Sequence, residues 1–408
     1  MASASADATM TFTIHDHDTS QEALSAYATF HAATLHSPTA KRLVFVPNQY
    51  GLGNRLRALK ASLLVAMLTG RVFHVRWDEP YKISEFIQHN QVDWRLETLA
   101  FTLPVVDPDG APPEASAEAD ILCLPFATAP RAGRCQEGLR SLQRGNLSSL
   151  RPRVLEVHTF TDLHIYLHTN PHYASTLARL GRTCPKRMGC LYDFLLAPQP
   201  LVREQLALAL SAAAAAPADH VGVQVRNRLW IAERYKSPSP AGIPSPAGER
   251  ILHCMERYVP PGATIFFTAD DDSLYPLAAK RWGARLRTTD GGVYLPWSRG
   301  GKVDAASLGD AERRAVLKAI VDWFALRSAT RIVYTYQSSF GKTAAEASSA
   351  PNLDVNHSRC VLADARWGAA VGAAAAPDAL DTEWAENGDG VAYDASTVPG
   401  SKASKVEL

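Results

Sequence analysis

Four short stretches of the chain carry side chains whose types and spacing suit the handling of a phosphorylated ligand. The first is Tyr50-Gly51-Leu52-Gly53-Asn54-Arg55, between an apolar run and a helical pattern. Two glycines let the backbone turn tightly and approach a ligand, the helix start presents unpaired N–H groups, and Asn54 and Arg55 add donors at the same point. Leu56 stands where a dinucleotide fingerprint would carry its third glycine, and a plain strand-to-helix turn would use the same two glycines. The second stretch is Gln224-Val225-Arg226, which ends the apolar run VGVQV. A guanidinium at the carboxyl end of a strand suits two-point pairing with a diphosphate, and it suits a salt bridge between domains as well.

The third stretch, Tyr336-Gln337-Ser338-Ser339-Phe340-Gly341, again stands between strand and helix. Its two hydroxyls at the helix start cap the first amides, and those amides are also phosphate donors. The fourth is Asp270-Asp271-Asp272 after the strand run TIFFT. An Asp-x-Asp holds a divalent metal in some nucleotide-sugar enzymes; the same acids suit a solvated turn, or one hydrogen bond from a base or ribose. Arg226 and two helix starts already supply a positive field, so the metal reading is the least supported of the three. His164, His168 and His172 repeat at four-residue intervals, but Pro171 interrupts any helix before the third, and the residues read HIYLH rather than HExxH. The chain has no GxSxG, no P-loop lysine motif and no cysteine in a nucleophile context.

These groups need a scaffold that ends strands at glycine turns. Arg42–Pro47 reads as a buried strand, Asn54–Thr69 as a helix closed by Gly70, and Arg71–Trp77 as a second strand, which together predict a βαβ unit with parallel pairing. Val221–Val225, Thr264–Thr268 and Arg331–Thr335 read as further strands, with helices over Ala305–Arg327 and from Ser338. The expected organisation is an extension over 1–40 with a short amphipathic stretch at Gln21–Thr34, an N-terminal α/β domain over 41–205, a C-terminal α/β domain over 206–365, and a low-complexity tail over 366–408.

Composition narrows the function. The 408 residues carry 42 Lys+Arg against 41 Asp+Glu, a net charge of +1, which argues against nucleic acid as the main partner. Hydrophobic residues make up 46%, enough for a sizeable core, and no apolar run reaches the roughly 20 residues of a membrane span. The first dozen residues lack the basic and apolar regions of a signal peptide, which points to the cytoplasm if Met1 is the true start. Six cysteines, with Cys184 and Cys190 placed for a small disulfide loop, sequons at Asn146 and Asn356, and the ending Lys405-Val406-Glu407-Leu408 point instead to the secretory lumen.

Taken in order, GLGNRLRALKASLLVAMLTGRVFHVRW, VGVQVRNR, FFTADDD and YTYQSSFGKTAAEA resemble the fucosyltransferases, most nearly the plant xyloglucan-type α1,2 enzymes and more distantly the α1,6- and protein-O-fucosyltransferases. The landmarks span about residues 43–350, with no alignable motif over 80–200. The resemblance implies a GT-B-like α/β fold, two Rossmann-type domains facing across a cleft, and inverting transfer of fucose from GDP-fucose to a glycan or glycoprotein hydroxyl without a metal or other cofactor. By position it makes Arg226 the partner of the leaving diphosphate, with Gln224 beside it. Ser338, Ser339, Phe340 and Gly341 then line the nucleotide site, an Asp of the 270–272 run (Asp270 or Asp271) meets the guanine or ribose, and Gly51, Gly53, Asn54 and Arg55 reach the donor from the other domain. The run RNRLW departs from the R-x-x-D of other branches, at Asn227, Arg228 and Trp230. The glycine turn holds no acid, so the expected general base is Asp78 or Glu79 at the end of the next strand, unless water or the leaving phosphate takes the proton. Two alternatives stand beside this reading: an inactive nucleotide- or glycan-binding protein of the same fold, and a metal-dependent glycosyltransferase using Asp270–Asp272.

Overall fold

The uninterrupted apolar run RLVFVP becomes the strand β1 (Arg42–Pro47), as its pattern predicts for a strand covered on both faces. The computed structural model describes residues 10–47, 51–78, 81–99, 119–123, 142–159, 162–211, 220–226, 245–289, 309–336, 338–356 and 360–362. Strand β1 pairs in parallel with β2 (Val72–Val75), Arg42 opposite Val72, and on its other side with β5 (Val154–Thr159), Arg42 opposite Val154. With β4 (Ala119–Cys123) these make a four-stranded sheet in the order β2-β1-β5-β4. The parallel β1/β2 pair joined by a helix is the βαβ unit read from the sequence.

A small antiparallel pair, β3 (Ile87–His89) and β6 (Leu196–Pro198), precedes the second sheet. That sheet is built from β7 (His220–Val225), β8 (Thr264–Ala269), β9 (Leu286–Arg287), β10 (Arg331–Thr335), β11 (Asn352–Asn356) and β12 (Val361–Leu362). Its order is β12-β11-β10-β7-β8-β9, parallel except for the β11/β12 edge. Both sheets therefore send the carboxyl ends of their central strands into glycine- or serine-marked turns, where α/β folds place their ligands.

The helix after β1, Leu52–Leu68, is rich in Leu, Ala, Met, Lys and Arg, all good helix formers, and is buried along almost its whole length. It stops in a Schellman arrangement: Gly70 sits at φ +59°, its N–H bonds to the Met67 carbonyl, and Arg71 N–H bonds to the Ala66 carbonyl at 2.9 Å. The helix Ser20–Thr34, opened by a Thr19/Glu22 capping box, sits against the first sheet rather than beyond it. Tyr27 donates its hydroxyl to the Arg71 carbonyl at 2.7 Å, and Tyr27 and Phe30 belong to the central apolar cluster. That cluster is continuous through both halves, holding Leu43, Phe45 and Leu56 together with Phe266, Trp323 and Ala344. Among the described residues no helix is long and apolar enough to cross a membrane.

Two disulfides join described residues, Cys184 to Cys190 across the short loop expected from the sequence, and Cys254 to Cys360 across the second sheet's edge. Between the first pair, Lys186, Arg187 and Met188 all take left-handed backbone, at φ 56°, 53° and 60°. Non-glycine residues adopt that conformation at a cost of about 1 kcal/mol or more each, so a run of three persists only where other contacts hold it.

Several histidines are buried. The His31 ring nitrogen lies 3.0 Å from the Phe73 carbonyl, and burial pushes His31 down to about 4. Burial likewise pushes His164 down to about 3, against the pull of Asp162. The unfolded chain takes up these protons near the ordinary 6.5, the folded chain only much lower, so between those limits the unfolded state holds more protons. Stability should therefore be fully present above about pH 6.5 and fall as the pH is lowered toward 4. Melting curves at pH 7, 6, 5 and 4.5 check this; an unchanged melting temperature would rule out buried neutral histidines.

Candidate functional site

The site is made where two helices begin. One is Leu52–Leu68, whose cap is Gly51; the other is Ser339–Ala347, capped by Ser338, whose hydroxyl accepts the Gly341 N–H at 3.2 Å. They touch backbone to backbone: a β-carbon on Gly53 would overlap Phe340 N and lie 2.6 Å from Phe340 Cα and the Ser339 carbonyl carbon. Only glycine permits that approach. Two sets of unpaired helical N–H groups, from residues 287 positions apart in the chain, are thereby set side by side.

Arg226 reaches the same point from the end of β7. Its backbone N–H donates to Thr335 Oγ1 at 2.8 Å, at the end of β10, and its Nη1 donates to Ser339 Oγ at 3.3 Å. Gln224 stands two residues earlier, opposite Tyr334 and Thr268 in the parallel register. It is 4% exposed, and its Oε1 has no hydrogen-bond partner among the described residues. That oxygen faces Gly341, where a β-carbon would lie 2.7 Å from it and 2.6 Å from Tyr334 Cβ. A buried acceptor left unpaired is uncommon and concentrates at functional sites. Gly51, Gly53, Gln224, Arg226, Ser338, Ser339, Phe340 and Gly341 thus share one locality.

Other residues singled out in the sequence lie differently. Asn54 is half-buried and accepts from Arg57 Nη2 at 3.1 Å. Arg55 is buried, its guanidinium 5.4 Å from the centre of the Trp77 ring. The acidic run divides. Asp270, half-buried, donates its N–H to the Val225 carbonyl at 3.2 Å and so stands beside the β7 end. Asp271 is buried and accepts from Ser273 N at 3.0 Å and Ser273 Oγ at 2.7 Å, a local turn rather than a free carboxylate, and Asp272 is exposed. Asp78 is exposed beyond β2. Glu79, Asn227, Arg228 and Trp230 lie outside the described residues. His164 and His168 meet edge to face at 4.3 Å, and among the described residues no group of three or more His, Cys, Asp or Glu is placed to hold a metal ion.

Beneath the helix contact is an ion network that the sequence reading missed. Lys60, 1% exposed, pairs with Glu346 at 2.9 Å, stands 3.8 Å from Asp162 and donates to the Arg187 carbonyl at 2.9 Å. Burial acts to raise the Asp162 carboxyl, but Lys60, His164 and Arg57 outweigh it and hold it well below the usual carboxylate range. Burial, reinforced by Arg187, pushes the nearby Lys342 down to about 8. A lysine near the start of LKASLLVAML and a glutamate in TAAEA were the available signals: a charge on an apolar helical face needs a partner.

No protein-family model matches the chain, and no curated protein matches it. Among solved structures the chain is similar to a mutant form of Arabidopsis thaliana FUT1 in complex with GDP, at 16% identity and a TM-score of 0.57, over 82% of this chain and 78% of that one. It is also matched, at TM-scores of 0.44 and 0.43, with the fucosyltransferase NodZ from Bradyrhizobium (12% identity, 78% of this chain, 97% of that one) and with POFUT1 in complex with GDP (13%, 78% and 99%). The likeness to FUT1 establishes a shared mixed α/β fold with parallel sheets.

Because Gly53 lies on the backbone of Ser339 and Phe340, Gly53→Ala should force the two helix starts apart and cost on the order of 1–3 kcal/mol. Gly51→Ala, with nothing within 4 Å of its added carbon, should be much milder. Urea unfolding of the two variants tests the contact, and equal losses would argue against it.

Proposed function

We propose that the chain is a fucosyltransferase that moves fucose from GDP-fucose to a glycan or glycoprotein hydroxyl, by a single inverting displacement without a metal. The observation that carries this reading is the convergence of Arg226 with the start of the Ser339–Ala347 helix, packed on the Gly51–Gly53 turn. It is supported by the order of the four sequence landmarks and by the fold shared with FUT1, whose structure holds GDP. In this reading the two sheet-bearing halves, about 41–205 and 206–365, are the acceptor and donor domains of a GT-B arrangement facing across a cleft.

The chemistry follows from where charge develops. As the fucose C1–oxygen bond breaks, positive charge spreads over C1 and the ring oxygen while negative charge collects on the diphosphate. Arg226 and the helical N–H groups of Ser339 and Phe340 meet that negative charge with donors already in place, so they stabilise the departing GDP more than the bound donor. Ser339 Oγ, accepting from Arg226, fixes the guanidinium's direction, and Thr335 holds its backbone. Gln224 offers its unpaired carbonyl oxygen to a donor group of the ligand. Asp270, at the end of β8, meets the guanine or ribose, and Gly51, Gly53 and Asn54 close on the sugar from the other helix. The acceptor oxygen attacks C1 from the face opposite the diphosphate, which inverts the anomeric centre; Asp78 takes the acceptor's proton as the new bond forms. The positive field comes from the protein, so no cation is needed to neutralise the diphosphate.

Thermal unfolding with GDP, GDP-fucose, ADP and UDP, each with EDTA, tests donor class and metal need together. The guanine nucleotides alone should raise the melting temperature. Arg226→Ala should stay folded and lose about 10²-fold or more in fucose transfer to a xyloglucan oligosaccharide. Normal transfer by that variant would remove Arg226 from the mechanism; a GDP shift without any turnover would favour a binding protein of the same fold, and a shift that EDTA abolishes would favour the metal-dependent reading.

A further inference from the structure

We infer that the loop closed by Cys184 and Cys190 is a clamp on the far end of the Ser339–Ala347 helix, and that Lys186 is a positioning residue for the ligand-facing start of that helix. The inference rests on the donor site proposed above.

The helix is nine residues long, roughly 13 Å at 1.5 Å per residue, so a displacement at one end is carried to the other. Its start bears Ser338, Ser339 and Gly341. Its end leaves carbonyl groups without helical partners. Lys186 Nζ reaches that end: it donates to the carbonyl oxygens of Ala345 (3.4 Å) in the last turn, of Ser348 at the C-cap, and of Ala350 just beyond it. An ammonium there also meets the negative end of the helix dipole. Three residues on, Gly189 lies so close that a β-carbon would overlap the Glu346 carbonyl oxygen.

The loop holds the other helix too. The Arg187 carbonyl accepts from Lys60, which also binds Glu346, and Lys60 lies two turns into the helix whose Gly53 touches Phe340. The contacts close a ring: loop to the end of one helix, loop to the middle of the other, and the two helices to each other at the site. Three successive left-handed residues at 186–188 give the loop the curl that sends Lys186 to one helix and the Arg187 carbonyl to the other. The disulfide and the Cys190 N–H, 3.2 Å from Cys184 Sγ, close that curl at its base.

Three full-length variants decide it: Lys186→Met, Lys186→Arg, and Cys184→Ser with Cys190→Ser. The readouts are amide hydrogen exchange at Phe340–Thr343 and the dissociation constant for GDP, with β7 amides as an internal control. Lys186→Met should speed exchange at the helix start, leave β7 unchanged and weaken GDP binding about tenfold, the size expected for losing a charged hydrogen-bond donor. Lys186→Arg should restore most of both, which a general loss of stability would not. The double serine variant should match Lys186→Met; if it does not fold, Lys186→Met, which keeps the disulfide, decides alone. Unchanged exchange at Phe340–Thr343 in Lys186→Met, or faster exchange with GDP affinity intact, overturns the inference. Should the unaltered protein bind no GDP, the donor-site reading fails instead, and the positioning role falls with it while the exchange data still report the clamp.

Discussion

The backbone contact between Gly53 and the Ser339–Phe340 peptide governs the rest of the molecule's polar architecture. Two helix starts carry partial positive charge, and setting them side by side is electrostatically unfavourable on its own. Apolar burial behind them holds them together, since the Leu52–Leu68 helix is enclosed almost completely and the Ser339–Ala347 helix rests on Trp323 and its neighbours. The outcome is a point of concentrated N–H donors with a guanidinium beside it, a field that an anion relieves.

The charges below that point offset the same field from inside. Lys60 is itself a cation, yet Glu346 and Asp162 accompany it, and the Arg187 carbonyl takes a third of its donor capacity. A buried ion of this kind adds little net stability, but removing one partner strands the others, so the network ties helix to helix and both to the disulfide loop. His164 stays neutral against Asp162 because burial outweighs the carboxylate's pull. Above, Gln224 has an acceptor without a partner among the described residues, at the very place where the helix begins. An acceptor left open beside a helix start and a guanidinium is what a binding surface held ready for a polar ligand would offer.

Much of this was legible from residue order. The strands Arg42–Pro47 and Arg331–Thr335 appear with the bounds their apolar runs indicate, and Gly70 ends its helix through a positive φ that the sequence position announces. Ser338 caps its helix for the reason serines do so elsewhere, through a short hydroxyl within reach of the third amide. The Cys184–Cys190 pairing follows from a spacing of six residues. Less was legible where a side chain's direction depends on distant neighbours. Arg55 and Arg226 read alike as cations near glycine or strand ends, yet one lies over Trp77 and the other on Ser339. Asp270 and Asp271 are adjacent in sequence and part in space, because Asp271 is drawn into a turn with Ser273. The Ser20–Thr34 helix looks peripheral by composition, and Tyr27 and His31 bring it into the core.

Local sequence determined what depends on neighbours a few residues away: strands from uninterrupted apolar runs, helix limits from caps and glycines, and the chemical types gathered at each turn. Tertiary structure alone decided which turns meet. Gly53 and Phe340 are 287 positions apart, and no local rule pairs them; they meet because a shared apolar core fixes the two helices, and because one position has no side chain to keep them apart. The partners of Lys60 and Lys186 follow from that meeting. A charge on an apolar helix announces that it needs a partner, and only the folded chain supplies one.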